Sequence, residues 1–67
     1  MIIYIDIMQR LKENGWTTYR IRKERKIGDA TVQRIKNNQS ISTDTINTIC
    51  ELCNCQPGDI MKYKREG

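Results

Sequence analysis

The stretch Thr17 to Asn37, TTYRIRKERKIGDATVQRIKN, holds two helical patterns separated by a very short turn. Thr17 can cap the first helix, which is expected to reach about Arg25, because a Thr side chain just ahead of a helix can accept one of the N–H groups left unpaired there. The second helix is expected from about Asp29 to Asn37, with Gly28 at its cap position and Val32 and Ile35 three apart on its inner face. Only Lys26, Ile27 and Gly28 join the two. Ile21 in the first helix, Ile27 in the turn, and Val32 and Ile35 in the second are spaced to meet across the corner and to hold the helices at a steep angle.

Outward from this corner the chain continues as short elements. Asp6 followed by Gln9 resembles a capping box, and Ile7, Met8 and Leu11 supply an apolar stripe ending at Asn14-Gly15, where glycine gives the chain a left-handed exit. Trp16 then returns it to the core. On the other side Asn37-Asn38-Gln39-Ser40 reads as a polar loop, and Ser42 caps a helix whose Ile46, Ile49, Cys50 and Cys53 follow the i, i+3, i+4, i+7 pattern of a buried stripe. Asn54-Cys55 ends that helix, and Pro57 opens a last short one at its first position. Ile2 to Ile5 is a brief β-prone run whose natural partner is Met61 to Lys64. The expected fold is all-α, five helices, with a minor two-stranded pairing of the termini, and residues 1–67 are expected to form one domain.

Composition narrows the function. Twelve Lys and Arg against eight Asp and Glu give a net charge of +4, which favours polyanionic partners. Arg20, Arg22, Lys23, Arg25, Lys26, Arg34 and Lys36 crowd one stretch opposed only by Glu24 and Asp29. Three cysteines, Cys50, Cys53 and Cys55, are too few and too close for the disulfide frame of a secreted mini-protein, so a reducing cytoplasm is the expected setting. Their spacing invites a zinc reading, but there is no histidine and no fourth cysteine, and two of them continue the buried stripe. Neither metal nor other cofactor is therefore expected. The opening apolar run is too short for a signal peptide, and no run approaches the roughly 20 residues of a membrane span. With no histidine, no phosphate loop and no paired carboxylates, catalysis has no support, and Glu13, Glu24, Glu51 and Glu66 read as surface charges. Tyr4, Trp16, Tyr19 and Tyr63 are expected to fill the edges of the core.

The three-residue connection is that of a helix-turn-helix, and the chain resembles the Cro and phage-repressor type of regulator, in particular its small stand-alone bacterial members. The carriers are Tyr19-Arg20-Ile21 through Ile35, then Thr43-Asp44-Thr45-Ile46-Asn47-Thr48-Ile49-Cys50, then Cys53-Asn54-Cys55-Gln56-Pro57-Gly58-Asp59-Ile60. The sequence departs from that family's pattern at Arg22, Arg25 and Lys26, where a small residue, an aliphatic residue or Thr, and Gly are usual. A Lys at positive φ in the turn costs about 1 kcal/mol relative to Gly, so a distorted turn or an early end to the helix is expected. Arg22 and Arg25 are expected to extend outward to keep their guanidinium groups wet.

The resemblance implies a lambda-repressor-like fold in which helix 29–37 enters the major groove. It places Asp29, Ala30, Gln33 and Arg34 at the base-reading positions. Gln suits adenine, Arg guanine, Ala the thymine methyl and Asp the cytosine amine. Thr17 and Thr18, with Lys36, Asn37, Asn38 and Gln39, are expected to hold phosphates, which position a protein without reading sequence. The function implied is sequence-specific binding of double-stranded DNA by a transcriptional repressor, acting as a homodimer. A protein-interaction module such as an antitoxin-like partner-binding chain, or a non-specific RNA or single-strand binder, is the alternative.

Overall fold

The computed structural model describes residues 1–65. Their order is β1 (Ile2–Tyr4), α1 (Ile7–Glu13), α2 (Thr18–Lys23), α3 (Asp29–Lys36), α4 (Thr43–Cys53), α5 (Pro57–Ile60) and β2 (Met61–Tyr63). The five helices and the terminal pairing are those expected from the sequence. Glu66, expected as a surface charge, lies outside the described residues.

The core is made from one or two side chains of each helix. Ile7 and Leu11 of α1, Ile21 of α2, Val32 and Ile35 of α3, Ile49 and Cys53 of α4, and Ile60 of α5 are buried, together with Ile27 in the turn. The four residues expected to lock the corner are all in this set. β1 and β2 pair antiparallel with Ile2 opposite Tyr63 and Tyr4 opposite Met61, and Ile5 N–H donates to the Ile60 carbonyl at 2.7 Å. Tyr4 and Trp16 pack on the core as expected, but Tyr19 and Tyr63 do not. They stand 73% and 65% exposed, because α2 turns Tyr19 away from Ile21 and the small sheet has no second layer over Tyr63.

α1, α2, α3 and α4 end in the same way. A left-handed residue follows each helix, and the N–H of the next residue reaches back five positions, the signature of a Schellman motif. Gly15 (φ 83°), Arg25 (φ 55°), Asn38 (φ 55°) and Asn54 (φ 51°) are the left-handed residues. The returning bonds run from Trp16 to Leu11 (2.8 Å), Lys26 to Ile21 (3.1 Å), Gln39 to Arg34 (2.7 Å) and Cys55 to Cys50 (3.1 Å).

α2 stops at Lys23, short of Arg25 and in line with the early end expected of its basic turn, since its Schellman turn begins there. Two local expectations are corrected. The positive φ falls on Arg25 and not on Lys26, because Lys26 supplies the returning N–H. Asp6 makes no capping box: it is itself left-handed (φ 48°), turning the chain out of β1, so its carboxylate makes no cap bond. Gln9 instead donates to Glu13 at 3.1 Å. The remaining starts are as expected, with Thr17 Oγ1 accepting from Arg20 N–H (3.2 Å) and Ser42 Oγ from Thr45 N–H (3.1 Å). Gly28 precedes α3, and Pro57 opens α5.

Candidate nucleic-acid interface

α3 is buried on one side and bare on the other. Val32 and Ile35 face the core, while Asp29, Ala30, Gln33, Arg34, Lys36 and Asn37 are exposed. This follows from a turn of about 100° per residue, which sets Ala30, Gln33 and Arg34 opposite the two apolar anchors. The helix is short, but it is fixed at both ends: the corner residues Ile21 and Ile27 hold its start, and the loop after it is tied to β1.

That tie involves one of the expected phosphate ligands. The Asn38 side chain accepts from Tyr4 N–H through Oδ1 (2.9 Å) and donates from Nδ2 to the Ile2 carbonyl (3.2 Å). Tyr4 O–H adds a bond to the Gln39 carbonyl at 2.7 Å. Asn38 thus serves the strand, which its sequence position in a polar loop does not reveal. The side chains of Asn37 and Gln39 remain exposed.

Asp29 is also engaged. Arg22 Nε donates to its Oδ1 at 3.0 Å, linking α2 to the first residue of α3 across the turn. Both side chains remain about two-thirds exposed (68% and 70%), so water screens the pair and its share in stability is small. Arg22 does extend outward as expected.

The basic stretch divides into two groups. Arg22 pairs with Asp29 and Arg20 is committed within the fold: the Arg20 guanidinium lies 3.9 Å over the Trp16 ring, donates to Glu24 at 2.6 Å and to the Gly15 carbonyl at 3.2 Å. Lys23, Arg25, Lys26, Arg34 and Lys36 have no ion-pair partner among the described residues.

Thr17, Thr18 and Lys36, distant in sequence, line one groove of about 310 Å³ between α1, the start of α2 and the end of α3. Met8, Gln9, Lys12 and Trp16 complete it. Two lysines and two hydroxyls around a concavity suit an anionic oxygen cluster such as a backbone phosphate. Gln9 and Lys12 escaped the sequence reading. The available signal was that Lys12 follows Met8 by four positions on one face of α1, but only the packing of α1 on α3 brings that face to Lys36.

No helix among the described residues is long and apolar enough to cross a membrane. Comparison with curated proteins and with solved structures finds no match. A family model does match, that of the Cro/C1-type HTH DNA-binding domain, over residues 6–66 of the chain. With the helix-turn-helix corner, the bare face of α3 and the match across nearly the whole length, the chain belongs to the Cro/C1-type HTH DNA-binding domain family.

Proposed function

We propose that this DNA-binding domain is a sequence-specific repressor that lays α3 in the major groove of a duplex. The observation that carries the reading is that the exposed side of α3 holds Ala30, Gln33 and Arg34 next to the groove of Thr17, Thr18, Lys12 and Lys36. Base readers and phosphate holders then lie on neighbouring surfaces, as simultaneous contact with a groove floor and its backbone requires. Asp29 shares its carboxylate with Arg22, which holds Oδ1, and only Oδ2 is left to accept from cytosine, so it is the weakest of the four readers. Asn37 and Gln39 hold phosphate beside Lys36, and Asn38 keeps the loop in shape. Bound across a promoter, such a domain acts by occluding it.

One recognition helix covers few base pairs, so two copies related by a two-fold axis are expected on half-sites roughly 34 Å apart. The terminal sheet offers a contact surface, with Met1 and Ile2 each 50% exposed and Tyr63 65% exposed. The test is selection of bound duplexes from a random library, followed by titration against the selected duplex, a scrambled duplex, RNA and single strands, with sedimentation of the complex. A two-fold consensus bound by two protomers is expected. No consensus, or equal affinity for RNA and single strands, would overturn the reading in favour of a non-specific basic patch.

A further inference from the structure

Arg22 and Asp29 meet where α3 begins, and they meet on the side of the corner that carries the rest of the interface. Arg22 follows Thr18 by four positions on α2, and Gln33 follows Asp29 by four on α3, so each pair shares one side of its helix. Thr18 lines the groove with Lys36, and Gln33 stands on the bare face of α3. The Arg22–Asp29 bond therefore joins the phosphate-holding side of α2 to the base-reading side of α3.

The arginines of the corner differ in how their guanidinium groups are used. Arg20 spends its own on Trp16, Glu24 and the Gly15 carbonyl. Arg25 and Arg34 have no ion-pair partner among the described residues. Arg22 is both anchored and open. Its Nε donates to Asp29 Oδ1 at 3.0 Å, while neither of its Nη groups donates to any of the described residues, and the side chain is mostly exposed.

The helix dipole accounts for an acid at the first position of α3. It does not account for a guanidinium that gives one donor to that acid and turns its outer edge to solvent. We propose that Arg22 is a further base-reading residue, a guanine reader whose Nη1 and Nη2 donate to O6 and N7, with Asp29 as its positioning residue. The proposal rests on the reading that α3 lies in the major groove. There the N-terminal end of the helix reaches the base edges, and the end of a guanidinium fork matches the two acceptors of guanine. In water the pair is screened and weak. Once base edges cover it, the lower dielectric strengthens it. Anchoring matters because a long side chain otherwise loses its rotamer freedom at the moment of contact. Arg22 also offsets the repulsion between Asp29 and the phosphates.

The test selects duplexes from a random library with the unmodified full chain. The selected duplex and its single-base replacements are then titrated with that chain, Arg22→Ala, Arg22→Lys, Asp29→Asn and Arg34→Ala. At one G·C pair of each half-site, a preference for guanine of about ten-fold or more is expected to fall to about two-fold in Arg22→Ala and Arg22→Lys. Arg22→Lys keeps the charge, so its salt slope should stay that of the unmodified chain. Asp29→Asn should lower the preference at the same pair, and Arg34→Ala at a different one. Both side chains are exposed, so the variants should fold, which circular dichroism checks; if Arg22→Ala does not, Arg22→Lys carries the test. A consensus that keeps every preference in the Arg22 variants overturns the proposal and leaves the reading of α3 standing. An equal loss on all duplexes in Arg22→Ala, with a lower salt slope, overturns it too, since Arg22 is then a phosphate contact. Undiminished guanine preference in Asp29→Asn overturns the positioning role, and the absence of any consensus for the unmodified chain overturns proposal and reading together.

Discussion

Arg25 occupies the left-handed place that Gly15, Asn38 and Asn54 fill at the ends of the other long helices. Glycine and asparagine enter that region readily, whereas a residue with a long side chain pays for the crowding between Cβ and its own carbonyl. Arg25→Gly is therefore expected to raise the stability of the domain by about 1 kcal/mol, read from urea unfolding midpoints. A loss of stability would mean that the Arg25 stem packs on the turn. Two residues of α3 separate the kinds of DNA contact. Arg34 stands beside Gln33 on the bare face, where its planar fork matches guanine O6 and N7. Lys36 sits in the groove with Thr17 and Thr18. Arg34→Ala should cost about 1–3 kcal/mol on the selected duplex and relax base choice there. Lys36→Ala should weaken selected and scrambled duplexes alike and lower the salt slope by about one unit. Titrations of both variants at several salt concentrations check this, and an equal loss on both duplexes for Arg34→Ala would make Arg34 a backbone contact.

At the scale of elements, these helices are too short to persist alone, since a helix under about 12 residues is marginal in water. Their limits are set by caps and by the core together. Ser42 is the plainest case: its Oγ accepts from Thr45 N–H at 3.1 Å, and Thr45 Oγ1 lies 3.0 Å from it. Ser42→Ala should cost about 1 kcal/mol of global stability with DNA affinity per folded molecule unchanged, as α4 takes no part in the proposed interface. Circular dichroism melting and anisotropy titration check the two halves of that statement. A fall in affinity without a fall in stability would place α4 nearer the duplex than its position in the fold allows.

Across the whole molecule, the terminal sheet and the exit of α3 are tied together. β1 receives both ends of the Asn38 amide and bonds the Gln39 carbonyl through Tyr4 O–H, while β1 itself is held by β2 and by Met1 N–H₃⁺ donating to the Lys64 carbonyl at 2.6 Å. The exit of α3 is thus set by residues at both ends of the chain. Tyr4→Phe, which deletes one hydrogen bond, should cost about 1 kcal/mol of stability. Asn38→Ala removes two bonds and the residue type suited to φ 55°, and should cost more. Both variants should also loosen specific DNA binding, although Tyr4 is not among the proposed contacts. Hydrogen exchange at Gln39 N–H would report the loosening directly, and unchanged protection there in both variants would show that the loop holds its shape unaided.

The helix-turn-helix corner was legible from the chain because its causes are local. Ile21, Ile27, Val32 and Ile35 fall at helical spacings around a three-residue join, and periodicity alone assigns an apolar set to one side of a helix and Ala30, Gln33 and Arg34 to the other. The starts at Thr17 and Ser42 and the stops at Gly15 and Asn54 were readable for the same reason, since each rests on one side chain and the backbone next to it. Reading failed where the decisive partner lay far along the chain or where two neighbours competed. Whether Arg25 or Lys26 turned left-handed depended on which N–H closed back on Ile21, and Asp6 gave up its cap because strand pairing with residues near 60 fixed its backbone. Likewise Asn38 could be classed as polar but not assigned to β1, and Lys12 could be placed on α1 but not beside Lys36. Sequence determined the apolar side of each helix, although it misplaced Tyr19 and Tyr63, which stand exposed. Only the packing of one element on another decided which exposed residues came together, because distance along the chain carries no information about contacts made through a shared core.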